Sequence, residues 1–576
     1  MTSHQSTFVL LLFPMICATG RGSASTSPLP ESIYVPDDYE TIQGAVDAAE
    51  DGDKIIVRPG TYPHFRLVEK SLTVESTNPN DSTTVKETVV DGGDSVQVLA
   101  VGGYEPQGVT LAGLTFTRGY ESTYWSTGGG IDVFTKSAPS FVNCRILDSY
   151  ADRHGGGVFC GVGTTPLFVN CTIEGNVAER YGGGVYVDSL ASATFINCVI
   201  RGNDVELLAG GGIYVYPHGT LNLESCHVTN NVAAASTGGG LYAEDASIRM
   251  EQCTVEGNTA AWWGGGVVLD GCDFQMSDSV VASNHAELLG GLYLRGAGIM
   301  LNCHILNNSA AVERGGLVLG GSGLLGSKTL VRDCLIAGNT APRGAGISCW
   351  SNTTTPPIIE NTWIRDNHAT YRGGGVVCEN ASATIRNCLI TDNTAAERGA
   401  GMVFYEGSDS VLVRNCTFAD NDCLYGGGGI DCDGGSPTLL NCVFWGNTPN
   451  QIGIIVGAPS IRYSDVVGGW AGEGNIDAAP LFRSRAGYDY LLAPSSPCVD
   501  AGDPSIADGV SDWHPLWPAR YPNDARSDMG AYGGPGNWRW LGSGSEGASR
   551  FQGGTYKFTP SGDAASSVTN DSRPSG

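Results

Sequence analysis

The stretch 182-GGGVYVDSLASATFINCVIRGN-203 decides the fold, because the chain repeats nearly the same phrase about a dozen times. Aligned on the cysteine, the copies run through Cys144, Cys171, Cys198, Cys226 and Cys253, then Ser279, Cys303, Cys334, Thr362, Cys388, Cys416 and Cys442. Most steps are 26 to 28 residues, and five residues after each copy but the first stands an asparagine, from Asn176 to Asn447. A glycine pair or triplet precedes the next copy. A period of this size means a solenoid, in which one turn cannot bury its apolar face alone and must stack on its neighbours.

Inside a copy the period is two, the mark of a strand: Val185 and Val187 fall on one side, Tyr186 and Asp188 on the other. The same alternation sets Phe195, Asn197 and Val199 against Ile196, Cys198 and Ile200. No copy has room for a helix of about ten residues between its strands. The pattern therefore predicts an all-β, right-handed parallel β-helix of about three short strands per coil, with equivalent residues of adjacent coils about 4.8 Å apart. Columns of like residues become stacks: the cysteines a small apolar core column, the asparagines an amide ladder at a tight turn. A second inward column runs through Cys160, Cys349, Cys378 and Cys432. Stacked, parallel thiols lack both the geometry of a disulfide and the convergence of a metal site, so free thiols are expected.

Composition supports a turn-rich architecture, with 83 glycines and 16% charged residues. A formal net charge of −27 argues against nucleic acid and anionic membrane surfaces as partners. The opening MTSHQSTFVLLLFPMICATGRGSASTS has the apolar core and small-residue flank of a secretory signal over residues 1–24, and nothing later approaches a membrane span. Residues 541–576 are rich in Gly and Ser and predict a disordered tail. The expectation is an exported protein, secreted or associated with a cell surface.

The segment 33-IYVPDDYETIQGAVDAAEDGDKIIVRPGTYPHF-65 combines a helical face of Tyr39, Ile42, Ala45, Val46 and Ala49 with a strand over 54–58 and a Pro-Gly turn. It resembles the N-terminal cap of the pectin-lyase-like superfamily, where a short helix covers the open end of the first coil. The glycines and the recurring apolar-x-x-Asn, as at Ile173 to Asn176 and Phe444 to Asn447, are similar to the repeats of chlamydial polymorphic outer-membrane proteins. GNIDAAPLF, SPCVDAGDP and SDMGAYGG, all between 474 and 534, are similar to the closing segment of secreted bacterial β-helix proteins. These resemblances imply a cap and first coils over 33–125, a repetitive core over 126–470 and a closing segment over 471–540.

Chemistry is sought where the outward positions vary. The second residue after the glycines gives Asp132, Phe159, Tyr186, Tyr214, Tyr242, Val268 and Tyr293. An exposed aromatic line suits sugar rings; alternatively, the rings merely stack on each other. Two residues further lie Asp188, Tyr216, Glu244, Asp270 and Arg295. Tyr186, Asp188, Tyr214 and Tyr242 are the expected polysaccharide-binding residues. Glu244, Asp270 and Arg295 are the candidate catalytic set: carboxylates holding Ca²⁺ with Arg295 as base in β-elimination, or a glycosidase acid and nucleophile about 5 Å apart. A plain salt-bridge ladder is the competing account. Asp431 and Asp433, on one side of Cys432 and with Glu379 two coils away, are candidate Ca²⁺ ligands. Arg153, Arg180, Arg314, Arg343, Arg372 and Arg398 precede the glycines, with Trp262 and Trp263 among them, and suit an acidic polymer.

No DFIFG, DPHE, P-loop, zinc motif or Ser-His-Asp order is present. The functional expectation is therefore a polysaccharide-binding β-helix, with pectate-lyase-like or glycoside hydrolase activity as its enzymatic form. The alternative is a non-catalytic structural or adhesive solenoid.

Overall fold

The computed structural model of the chain describes residues 32–103, 108–122, 128–134, 136–320, 328–350, 355–485, 488–509 and 524–537. The expected signal (1–24) and tail (541–576) lie outside the described residues. One coil shows the design. Leu167–Val169, Thr172–Glu174 and Val185–Val187 form three faces, and a two-residue strand, Val177–Ala178, adds a short fourth segment. Each face pairs in parallel with the same face of the next coil, as in Val185↔Ile213 and Thr172↔Val199. The solenoid has about 14 turns.

The corners are made by left-handed residues. Asn170 (φ 54°), Gly175 (φ 68°) and Gly182 (φ 65°) turn this coil, and equivalent positions recur around the solenoid. Such a residue resets the strand alternation. Phe195, expected opposite Cys198, therefore shares the interior with Cys198 and Ile200, because Asn197 (φ 52°) lies between them. Phe141, Phe168 and Phe195 stack inside with centroids 4.6 and 4.7 Å apart.

The asparagine ladder is fully buried. Asn203 donates from Nδ2 to Ile173 O (3.0 Å) and Asn231 Oδ1 (2.9 Å), and its backbone N–H donates to the same oxygen (3.0 Å). This arrangement satisfies corner groups that would otherwise be orphaned in an apolar interior. The last glycine of each triplet is required beside it: a Cβ on Gly184 would meet Gly212 O at 2.6 Å and Asn203 Nδ2 at 2.9 Å. All cysteines from Cys144 to Cys498 are free and buried. Burial pushes the Cys432 and Cys442 thiols up to about 12, which keeps them protonated and unreactive.

The N-terminal end is closed by a helix. The helix Ile42–Ala48 begins at Thr41, whose hydroxyl accepts from Gly44 N–H, and buries Ile42, Ala45 and Val46 over the first coil. Lys70 Nζ satisfies its far end through Val46 O and Asp47 O. Tyr39, expected on the buried face, precedes the helix and is exposed. At the other end Asn387, Asn415 and Asn441 donate to Ala531 O, Asp528 O and Ser527 Oγ, fastening the closing segment to the solenoid wall. Among the described residues no helix is long and apolar enough to cross a membrane.

Candidate functional site

The face that follows the glycines carries one outward column from end to end. It runs through Arg66, Ala100, Asp132, Phe159, Tyr186, Tyr214, Tyr242, Val268, Tyr293, Val318, Ser348, Val377, Val403 and Asp431. Its tyrosines are not an exposed platform. Tyr186 and Tyr214 are each 4% exposed, because His154 and Tyr181 pack against them. Phe159, Tyr186, Tyr214 and Tyr242 stack nearly parallel, 5.2 to 5.5 Å apart, so the ring faces contact each other. Burial also raises the pKa of the Tyr186, Tyr214 and Tyr242 hydroxyls, keeping them neutral.

The expected pairing of Glu244, Asp270 and Arg295 on successive rungs is present. Asp270 and Arg295 are joined in an ion pair. Burial alone would lower the Arg295 pKa, but Asp270 outweighs it and the net shift is upward. A β-elimination base needs the opposite. Asp188 lies on the same column, half-buried and accepting from Ser189 N–H (2.7 Å); burial raises its pKa. The neighbouring Tyr216 is 45% exposed.

This second outward column continues to the other candidate pair. Register carries it from Arg295 through Gly320, Trp350 and Glu379 to the Tyr405 and Asp433 rungs. Here the first column falls to Ser348 and Val377, and the space that a tyrosine ring fills in earlier coils becomes a trough of about 570 Å³. Trp350, Glu379, Tyr405 and Asp433 wall one side; Arg314, Arg343 and Arg372 wall the other.

Those arginines stand directly before the glycines, in the column of Trp263 and Leu289. Arg153 and Arg180 do not share it, since His154 and Tyr181 occupy the equivalent position. The expected stripe of six is four in line and two displaced by one residue, which in a strand changes the side-chain direction.

The trough is electrically mixed. Arg372 contacts Glu397 Oε2 (3.1 Å) and Asp433 Oδ2 (2.9 Å), while Arg314 lies 3.6 Å from Glu379 and over the Trp350 ring. Burial opposes the Arg372 charge, but Glu397, Tyr371 and Tyr405 outweigh it and raise its pKa. Arg343 is exposed, sits over Tyr371 at 5.2 Å and makes no ion pair among the described residues. Asp431 is 1% exposed, accepts from Gly427 N–H (3.1 Å) and lies 3.7 Å from Arg398. Burial raises its pKa against both. Asp431 and Asp433 are thus each engaged by an arginine, and among the described residues no three His, Cys, Asp or Glu side chains gather as a metal site.

The residues missed in the sequence were Trp350 and Tyr405, together with the hollow itself. The available signal was negative: Ser348 and Val377 stand where earlier copies have tyrosine.

Among solved structures, the pectate lyase Pel9A is 12% identical, covering 87% of this chain and 96% of its own, with a TM-score of 0.21. The PL6 family alginate lyase AlyGC is 11% identical over 75% of this chain and 76% of its own, with a TM-score of 0.27. Neither likeness, at these scores, bears on this chain's chemistry. No curated protein matches it. The family model described as "right handed beta helix region" matches residues 76–240, 192–363 and 357–464. That span exceeds half of the chain and coincides with the stacked coils, so the protein belongs to the right-handed β-helix family.

Proposed function

We propose that the protein is an exported polysaccharide-binding β-helix and that its glycan lies in the trough between Trp350 and Arg343. The observation that carries this reading is the pairing of a 40% exposed tryptophan with an exposed guanidinium that makes no ion pair among the described residues, across a hollow floor. Sugar C–H faces pack on an aromatic ring, while hydroxyl and carboxylate groups take fixed polar partners at the rim. The Tyr186 to Tyr242 stack does not line the trough.

A binding role without turnover has one specific observation in its favour. Glu379 and Asp433 are each already engaged by an arginine, Arg314 and Arg372, so both carboxylates serve the trough's own ion pairs. In the Glu244, Asp270 and Arg295 ladder, Arg295 is already committed to Asp270.

Affinity electrophoresis against acidic and neutral polysaccharides tests the reading, with product formation followed by ultraviolet absorbance and reducing ends. Trp350→Ala, Arg343→Ala and Ser348→Tyr should each weaken binding at least about tenfold, a change of about 1.4 kcal/mol. Tyr214→Ala should leave binding intact. The proposal fails if no glycan binds, or if filling the trough with Ser348→Tyr has no effect.

A further inference from the structure

A second hollow opens on the same face near its other end. It has a volume of about 470 Å³ and is lined by His64, Arg66, Gln97, Tyr120, Glu121 and Asp132, among others. Its cause is the same as in the trough. Between Arg66 and Asp132 the outward column drops to Ala100, so no ring fills the space that Phe159 and the tyrosines occupy further along.

The two hollows also share their chemistry. Arg66 is exposed and makes no ion pair among the described residues, as Arg343 does in the trough. Tyr120 and Trp350 supply the rings, and Asp132 and Asp433 supply carboxylates. The terminal helix holds the Arg66 strand in place, since Gln43 Oε1 accepts from Arg66 N–H (2.8 Å) and its Nε2 donates to Arg66 O.

Nine rungs separate Ala100 from Ser348. At the spacing of paired strands, about 4.8 Å, the hollows are about 43 Å apart along the solenoid. Between them the second outward column presents Asp188, Tyr216, Glu244, Asp270 and Arg295 as a polar stripe on the same face.

From this arrangement we infer that the hollows are two anchor points for one extended glycan chain lying along the face, so that the protein selects its ligand by length. The inference rests on the reading that the trough binds glycan. Once a chain held in the trough is long enough to span the gap, its second attachment is intramolecular. Avidity then rises by about 10² or more without any new contact type.

The test uses the polysaccharide bound most tightly in the electrophoresis panel, cut into graded lengths and titrated calorimetrically into the full chain. Oligomers shorter than the span should bind with a stoichiometry of two. Chains longer than it should bind with a stoichiometry of one and about 100-fold more tightly. Arg66→Ala should abolish that step and leave short oligomers bound in the trough alone, whereas Arg343→Ala should leave them bound only near Arg66. Both arginines are exposed, so neither variant threatens folding. Affinity that does not change with length, or a step that survives Arg66→Ala, overturns the two-anchor arrangement while leaving the trough reading intact. Absence of binding by every polysaccharide overturns the trough reading itself.

Discussion

The coils from Phe159 to Tyr293 and those from Ser348 to Asp433 share one backbone, one glycine rule and one asparagine ladder, yet one stretch is sealed and the other hollow. The difference lies in two neighbouring outward columns. In one stretch, rings, or Val268 packed with Trp263 and Leu289, close the gap between them; in the other, Ser348 and Val377 stand beside arginines and leave it open for Trp350 to line. In a stacked solenoid the scaffold tolerates either choice, because the outward residue contributes to packing but not to the interior core.

The comparison is tested most severely through what both stretches have in common. Asn231→Ala and Asn393→Ala each leave several buried backbone and amide groups without partners. Each variant should lose about 4 kcal/mol in denaturant unfolding, since each orphaned group costs about 1–3 kcal/mol. Costs that differ by more than about 1 kcal/mol would show that the halves do not share one scaffold energetics.

A smaller effect separates the halves. Tyr214→Ala, which opens the aromatic stack, should cost about 3 kcal/mol. Val377→Ala on the same column should cost about 1.5 kcal/mol, the value of the apolar groups removed. Equal costs would mean that the rings are not holding the sealed stretch together.

The smallest effect concerns Asp431, the carboxylate at the far end of that column. Its pKa is raised by burial, so the folded chain holds the proton more firmly than the unfolded chain does. Stability from this site is complete below the ordinary value of 3.8 and is lost as the pH rises through the folded value. Asp431→Asn should therefore be more stable than the parent at neutral pH and indistinguishable from it in acid. An asparagine variant that is destabilised at neutral pH would show that the Arg398 contact outweighs burial.

Much of this was legible in the sequence. The spacing of Cys198 and Asn203 from their counterparts sets the coil, and the stacking of Asn176 to Asn447 follows from the repeat alone. The set Glu244, Asp270 and Arg295 was placed on successive rungs by counting from the glycines. Two things were not legible. Strand alternation carried across Asn197 put Phe195 on the wrong side, because a left-handed corner is not visible in a two-residue period. Nor is the burial of the tyrosines legible, because the residues that cover them, His154 and Tyr181, precede the glycines and reach them only across a turn.

The sequence by itself determined the repeat, the parallel stacking and the identity of the columns, since each depends on residues that recur at a fixed spacing and therefore meet their own copies. Only the tertiary structure decided which outward residues are open. Exposure on a solenoid depends on neighbouring columns from different parts of the coil, and on whether a side chain is large enough to bridge them. That is why Tyr186 is buried within its stack, whereas Ser348 opens the trough that Trp350 and Arg343 line.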